Sequence, residues 1–577
     1  MAANIPNRST ITEIGHPDEP TLYFSELDQI DPLGRYRIRV SGDIFYFERA
    51  TAIDWATTTT LFSFSRTGGV GTGRGATYTV AASDAPAYVQ AQADYVCDGT
   101  ADDVQIQAAN DLLTSGGIIS LSIGTFTCAA QIILGTKVIL EGQGFNSILS
   151  FPSGSVSGVK LNADYATIRN VTIQGKDTTS NVTGISDRGV LTTGICIQNV
   201  RVAQWFRGIY FNYQANDSFV LNNVIDTVAI GMDLWRSNGV KVANNTLVNL
   251  ARDGIRFDGC TYSNISNNSI SNWDTISGGF YAIILANTYG VNTGNAVIGN
   301  IIRNNINADA LSSAIVVSGE ANDANLVTNF VIANNAISGT IGHGLGGIYL
   351  HSFNGTYDNV RNGTIQGNTV SGFDDGFRSA WAQNITWSGN TSSFNGTNGW
   401  LLSAVSYHML SANIARNNSQ SSTNTTDGFR IQSGSVNVMM IGNVAYDDQV
   451  SPTQRYGIAE FTADCSGCRY SNNYLGLAAT GTFISAGSSY KINHNSGYIT
   501  ENAGTGSIAN AATSAVITHG LSYTPTLAEI SVTLGENPSN TPGAIWVDTI
   551  TSTQFTVNCE NDPGASNLDF SWAIRKI

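Results

Sequence analysis

The segment Leu221–Gly259 says one thing twice. Asn222-Asn223 opens a short β-branched run and Asn244-Asn245 opens another, while Gly231 and then Gly254 open a second run in each copy. The second runs align as Gly-Met-Asp-Leu-Trp (231–235) over Gly-Ile-Arg-Phe-Asp (254–258). A unit this short cannot bury its own apolar face and has to stack on its neighbours. Residues one repeat apart are therefore expected directly above one another on parallel strands, and few folds satisfy that condition.

The pattern extends well beyond these two copies. The second asparagine of each pair, or its equivalent, falls at Asn170, Asn199, Asn223, Asn245, Asn268, Asn305, Asn335, Asn368, Asn390, Asn413, Asn443, Asn473 and Asn495. The intervals are 29, 24, 22, 23, 37, 30, 33, 22, 23, 30, 30 and 22 residues. A minimum near 22 with variable excess predicts a solenoid coil whose loops grow on one or two sides, the largest between Asn268 and Asn368. The thirteen asparagines are expected to be structural, each side-chain amide bonding along the stack at a turn.

Composition agrees. Charged residues are 12% of the 577 and glycine numbers 60, which suits stacked β-coils with tight polar turns rather than helices. The 42% hydrophobic fraction is enough for a continuous core. A net charge of −15 and a pI near 4.7 argue against nucleic acid and anionic membranes as partners. There is no apolar run of spanning length, and the N-terminal residues lack the pattern of a signal peptide. The seven cysteines are irregularly spaced, which fits assembly in a reducing cytosol rather than a disulfide framework. Cys465 and Cys468 have zinc-like spacing but no second pair nearby, so neither a metal nor any other cofactor is expected.

Residues 1–80 read as a small β-module, with alternating strands in Arg35–Ala50 around a Ser-Gly-Asp turn and a glycine-rich linker at Thr67–Ala76. It is expected to act as a cap or an attachment domain. Next, Asp102–Leu113 has helical apolar spacing and stops at Gly116-Gly117. The segment Asp94–Asp103, D-x-x-x-D-G-T-x-D-D, together with Gly124-Thr125-Phe126, closely resembles the opening segment of pectate-lyase-like right-handed β-helices, a fold shared by bacteriophage tailspikes. The resemblance implies a right-handed parallel β-helix over residues 81–500, with Asp98, Asp102 and Asp103 as turn and cap residues rather than catalysts. Residues 501–577 read as a small C-terminal β-sandwich. Within it, Thr518-His519-Gly520-Leu521 through Thr524-Pro525 looks like a module of phage tail proteins associated with trimer formation or glycan contact.

Side chains alternate across a strand, so the residue after each repeat glycine should point inward and the next outward. One outward row then reads Tyr210, Asp233, Arg256, Ile284, Val316, Tyr349, Arg378, Leu401, Arg430. Two residues on, a second reads Asn212, Trp235, Asp258, Ala286, Ser318, His351, Ala380. With long loops beside it, this face is the expected floor of a groove. Asp233 and Asp258 are one coil and two residues apart, so their backbones should lie roughly 8 Å from each other, from strand spacings of about 4.8 Å and about 6.6 Å per two residues. That falls in the ~6.5–9.5 Å range of inverting glycoside hydrolases. Arg256 beside Asp233 is expected to keep it ionised as a base. Trp235 beside Asp258 is expected to stack on a sugar and raise that acid's pKa. The alternative for this quartet is a salt-bridge ladder on an exposed sheet. Glu320 is a third candidate carboxylate, while Asp253, Asp375 and Asp427 precede glycines and belong to turns.

The Gly-His-Gly of Ile341–Leu345 and the pair Asp374-Asp375 have counterparts in polygalacturonases, but in reversed order and without that family's Asn-Thr-Asp and Arg-Ile-Lys signatures, so the assignment fails. The tailspike resemblance implies a homotrimer in a virion tail, assembled in the host cytoplasm and acting on bacterial surface polysaccharide. It also implies contacts with other tail proteins through the N-terminal module. The expected activity is glycan depolymerisation by hydrolysis, with Tyr210, Trp235, Arg256, Tyr349, His351 and Arg378 binding substrate. Two other readings stay open: a fibre that binds glycan without cleaving it, and a polysaccharide lyase or epimerase using Arg256 or Arg378 with Tyr349 and His351.

Overall fold

A computed structural model describes residues 21–25, 35–41, 44–50, 58–65, 76–276, 278–307, 311–319, 325–352, 359–487, 489–535 and 538–576. Its body is a parallel β-helix with three long sheets. The first sheet starts with Thr77–Ala81 and Gly117–Leu121 and gains one strand per coil up to Ser489–Asn493. The second runs from Gly124–Thr127 to Tyr474–Leu475, the third from Ile132–Leu134 to Gly481–Ser485, and each has 14 strands among the described residues. One coil is Lys241–Ala243, Thr246–Leu250 and Ile255–Asp258, each paired in parallel with its equivalents above and below. A right-handed path follows from the crossover rule for parallel strands.

Two residues make the corner between the first and second sheets. The first takes a left-handed conformation, with φ of +58° at Asn222 and Asn244 and +55° at Asn267. Glycine takes over at Gly299, Gly367, Gly389 and Gly442, as expected where Cβ crowds the backbone. The second residue faces inward and forms the ladder. Asn245 donates its backbone N–H and its Nδ2 to Asn268 Oδ1 at 2.9 Å each, and its Nδ2 also reaches the Val220 carbonyl at 2.9 Å. This repeats through Asn223, Asn245, Asn268, Asn300, Asn335, Asn368, Asn390, Asn413, Asn443, Asn473 and Asn495. A buried amide is tolerated here because the stack satisfies its polar atoms.

Three of the thirteen expected ladder positions need correction. Asn170 and Asn199 occupy the left-handed corner, and their side chains meet outside the core. The inward neighbours there are Val171 and Val200. Asn305 ends the second-sheet strand Ile301–Asn305, and Asn300 stands in the ladder instead. The true offsets from Asn268 to Asn368 are 32, 35 and 33 residues, so the largest insertions remain where the sequence places them.

The repeat glycines that open the third-sheet strands are set by close approach rather than by φ. A Cβ on Gly231 would come within 2.5 Å of the Gly254 carbonyl oxygen and 2.7 Å of Leu247. The residues after them, such as Ile209, Met232, Ile255, Ile348 and Ile458, are fully buried. Phe377, Trp400 and Phe429 stack through three successive coils at centroid separations of 4.5 and 4.6 Å.

The ends are closed differently. The helix Asp103–Leu112 lies over the first coils with Ile106 and Ala109 buried. Asp102 is fully buried and accepts from the Gly99 and Thr127 amides at 2.9 and 2.7 Å, Asp103 accepts from Ala129, and Asp98 accepts from Thr100. These carboxylates are spent on backbone amides of the entry turn and of the coil beside it. Toward the N-terminus, Thr21–Ser25, Arg35–Ser41, Ile44–Ala50 and Thr58–Ser65 form an antiparallel sheet in which Arg37 and Arg39 grip Glu48. The Ser-Gly-Asp turn is only partly within the described residues, and the linker lies almost wholly outside them. Beyond the helix, residues 501–575 form two three-stranded antiparallel sheets that share one cluster, including Phe555, Val557, Phe570 and Trp572. His519 is buried there as a pin, its Nδ1 accepting from the Leu521 amide and its Nε2 lying 3.1 Å from the Thr551 carbonyl. No helix among the described residues is long and apolar enough to cross a membrane.

Candidate functional site on the third sheet

Both outward rows stand in the register read from the repeats, except that Asn212 lies just past the end of its strand Arg207–Phe211. Tyr210 pairs with Asp233, Asp233 with Arg256, Arg256 with Ile284, and so on through Val316, Tyr349, Arg378, Leu401 and Arg430. Trp235, Asp258, Ala286, Ser318, His351 and Ala380 form the second row.

The face is not one open floor. Ile284 (5% exposed), Ala286 (1%), Val316 (0%) and Ser318 (5%) sit at outward positions yet are covered, with Tyr281 and Tyr349 packed against the apolar ones. This band separates two polar clusters. The first holds Tyr210, Asp233, Trp235, Arg256 and Asp258, and the second holds Tyr349, His351 and Arg378. Glu320 lies outside the described residues.

In the first cluster the polar contacts run along each strand, from one outward row to the next. Tyr210 donates its hydroxyl to Asn212 at 2.7 Å, Trp235 donates its indole N–H to Asp233 at 2.7 Å, and Arg256 Nη2 donates to Asp258 at 2.6 Å. The pairing expected from register alone is thus exchanged. Trp235 serves Asp233, and Arg256 binds Asp258 while its Nε stays 3.9 Å from Asp233. Arg207 reaches Asp233 from the previous coil at 3.4 Å. Burial pushes the Asp233 carboxyl above the usual carboxylate range against the pull of Arg256, the Trp235 N–H and Arg207. Arg256 does favour the ionised form of Asp233, but at 3% exposure desolvation is the larger effect and the net shift is upward. Asp258 is fully buried, bonded to Arg256 and to the Tyr289 amide at 3.0 Å, and its side chain is closed to solvent.

The residues that face outward around these carboxyls are aromatic and basic. Trp235 stacks on Tyr289 with centroids 4.2 Å apart, and Tyr210 meets the indole edge-on at 5.1 Å. Arg207 lies over Tyr210 and Phe206. Burial, then the neighbouring Asp233, pushes the Tyr210 hydroxyl pKa up, so it stays a protonated donor. Of these groups, Tyr289 and Arg207 were not evident as site residues in the sequence. Tyr289 enters from the insertion that makes the Asn268–Asn300 coil long, and that excess length was its one visible signal.

In the second cluster Tyr349 and His351 stack at 4.8 Å, and the Arg378 guanidinium lies 5.2 Å over the Tyr349 ring while pairing with Asp375 at 3.4 Å. Burial and then Arg378 pull the His351 pKa down to about 4, so its ring is neutral near neutrality. Asp375 accepts from Thr397 and Asn398, Asp253 accepts from the Tyr281 amide, and Asp427 is held by Arg455 through two bonds, so these carboxylates tie adjacent coils together rather than closing local turns. Cys465 and Cys468 are buried, and no group of metal-ligand type appears among the described residues.

No protein-family model matches the chain, and neither does any curated protein sequence. Solved structures with similar folds include the tailspike gp49 of Pseudomonas phage LKA1, at 12% identity and a TM-score of 0.47, covering 82% of this chain and 93% of that one. The tailspike of E. coli bacteriophage HK620 in complex with a pentasaccharide is similar at 11% identity and a TM-score of 0.45, covering 82% and 90%. The A-module of the Azotobacter vinelandii mannuronan C-5 epimerase AlgE6 is similar at 15% identity and a TM-score of 0.43, covering 69% and 96%.

Proposed function

We propose that this chain is a tailspike-like glycan depolymerase that binds bacterial surface polysaccharide on the third sheet and cleaves it by hydrolysis. The observation that carries the reading is the Trp235–Tyr289 slab beside Asp233, a carboxyl that burial holds above the usual range. Stacked rings offer an apolar surface to a sugar face, and a carboxyl at its edge whose pKa burial raises is better matched to protonating a leaving glycosidic oxygen than a free carboxylate. Asp233 is therefore the general acid in this reading. Asp258, the second carboxyl, is closed off and orients Arg256 toward Asp233, and Glu320 is the remaining candidate for activating water. Tyr210 and Arg256 bind sugar hydroxyls. The N-terminal module serves attachment to other tail proteins, the C-terminal module serves trimer formation or glycan contact, and the protein acts as a homotrimer in a virion tail. Release of new reducing ends from a bacterial capsule or O-antigen by the intact chain, lost in Asp233→Asn, tests the reading.

A second reading, a polysaccharide lyase, is favoured by one specific arrangement: a neutral His351 stacked on Tyr349 with Arg378 over that ring. A neutral imidazole can take the proton next to a uronate carboxyl while a guanidinium holds that carboxyl. Unsaturated uronate in the products, absorbing in the ultraviolet, would select this route over hydrolysis.

A further inference from the structure

Two arginines at the edges of the first cluster are held by aromatic rings instead of by carboxylates. Arg236 follows Trp235 at the end of the strand Ile230–Trp235, and its guanidinium lies 5.6 Å from the Tyr213 ring centre and 5.7 Å from that of Tyr289. Its Nε donates to the Tyr289 carbonyl at 2.9 Å, and the residue is exposed. Arg252 precedes the neighbouring strand Ile255–Asp258 at the opposite edge, between Phe206 at 5.1 Å and Phe280 at 5.4 Å. Its Nε is buried with no hydrogen-bond partner. Neither guanidinium has a carboxylate within ion-pair distance among the described residues, whereas Arg207, Arg256, Arg378, Arg430 and Arg455 on the same sheet all do.

A chain with 43 acidic residues against 28 basic ones could readily supply partners for these two. Ring faces fix the plane of a guanidinium but accept none of its five N–H donors, so most of its hydrogen-bonding capacity stays open. A planar donor fork fixed in this way suits a carboxylate, sulfate or phosphate oxygen pair. The Arg252 backbone N–H donates to the Ala229 carbonyl, so its place in the next coil is level with Ala229, seven residues before Arg236. The two anchor points are therefore ~23 Å apart along the backbone. Several sugar residues fit between them, across the Trp235–Tyr289 slab.

We propose that the glycan bound here is anionic, with acidic groups on separate sugar residues that dock on Arg236 and Arg252. This rests on the reading of the face as a glycan site and adds the chemical class of the glycan. A local pair of open guanidiniums matters in a chain of net charge −15, whose overall field repels a polyanion.

The full-length protein can be tested on an array of purified bacterial capsular and O-antigen polysaccharides that includes uronate-, sialate-, phosphate- and sulfate-bearing polymers beside neutral ones. The expected hits are confined to anionic polymers, binding weakens as salt rises, and carboxyl reduction of a uronate-bearing hit abolishes binding. Arg236→Gln and Arg252→Gln each weaken a hit at least tenfold, and Arg252→Lys recovers part of the loss. Because Arg252 also packs between rings, a thermal melt of each variant separates lost binding from lost folding. Hits among neutral polymers, or unchanged affinity in both glutamine variants, would overturn the anionic assignment and leave the glycan reading standing. An array with no hits of any charge would remove the glycan reading and this proposal together.

Discussion

The indole N–H of Trp235 donates to Asp233 at 2.7 Å, two residues back on the same strand. This bond joins the stacking surface to the carboxyl proposed to carry the proton, and it lowers the pKa that burial raises. Trp235→Phe keeps a ring against Tyr289 and removes the N–H. Its glycan affinity should stay within about threefold of the parent. The alkaline limb of the rate profile, where a general acid loses its proton, should move to higher pH. Trp235→Ala should also lose about tenfold in affinity, because stacked aromatic contacts contribute roughly 0.5–1.5 kcal/mol beyond burial. Isothermal titration and a pH–rate profile check both statements.

Asp233 and Asp258 should separate on substitution. Asp233→Asn is expected to reduce cleavage by about 10²–10⁴-fold with binding retained, the range of a lost general acid. Asp258→Asn removes the charge that the half-buried Arg256 pairs with at 2.6 Å, leaving it Asp233 at 3.9 Å, which should cost about 1–3 kcal/mol. That loss should appear as a lower denaturation midpoint, whereas Asp233→Asn should not lower it, since it relieves a desolvated carboxyl.

Asp253 gives a pH signature of stability. Burial pushes its pKa from 3.8 up to about 6. The folded chain keeps this proton where the unfolded chain has released it. Its contribution is complete below about pH 4 and is lost as pH rises through 6, a change of about 3 kcal/mol. Asp253→Asn retains an oxygen for the Tyr281 amide and should lose this slope, becoming more stable than the parent at pH 8 but not at pH 4. Chemical denaturation at the two pH values measures the difference.

The ladder can be cut at one rung. Asn390 accepts from the backbone N–H and Nδ2 of Asn368 and donates to Asn413. Asn390→Ala orphans several buried polar groups and should cost roughly 2–5 kcal/mol, at about 1–3 kcal/mol per stranded group. Asn199→Gly, at an exposed corner with φ of +53°, should change stability by less than about 0.5 kcal/mol. Resistance to proteolysis at matched temperatures reports both.

Much of this was legible in the sequence for a definite reason. In a parallel stack the repeat is the register, so aligning glycines placed Tyr210, Asp233, Arg256, Tyr349 and Arg378 in one row without coordinates. Local pattern failed where a loop overrode it. Asn304-Asn305 imitates a ladder pair at the end of a second-sheet strand, and the asparagine that bonds along the stack is Asn300, after Gly299. The burial of Asp258 was equally hidden, because the amide that binds it belongs to Tyr289, 31 residues away in an insertion. The cover over Ile284 and Val316 was likewise unreadable, since alternation tells which way a side chain points and not what lies above it.

The most direct test of the central claim is mass analysis of the products formed by the intact chain on a bacterial polysaccharide that it binds. Hydrolysis at the Asp233 face predicts oligosaccharides that each carry one added water and a new reducing end, formed by the parent and not by Asp233→Asn. Unsaturated, ultraviolet-absorbing ends, or undiminished hydrolysis by Asp233→Asn, would contradict it.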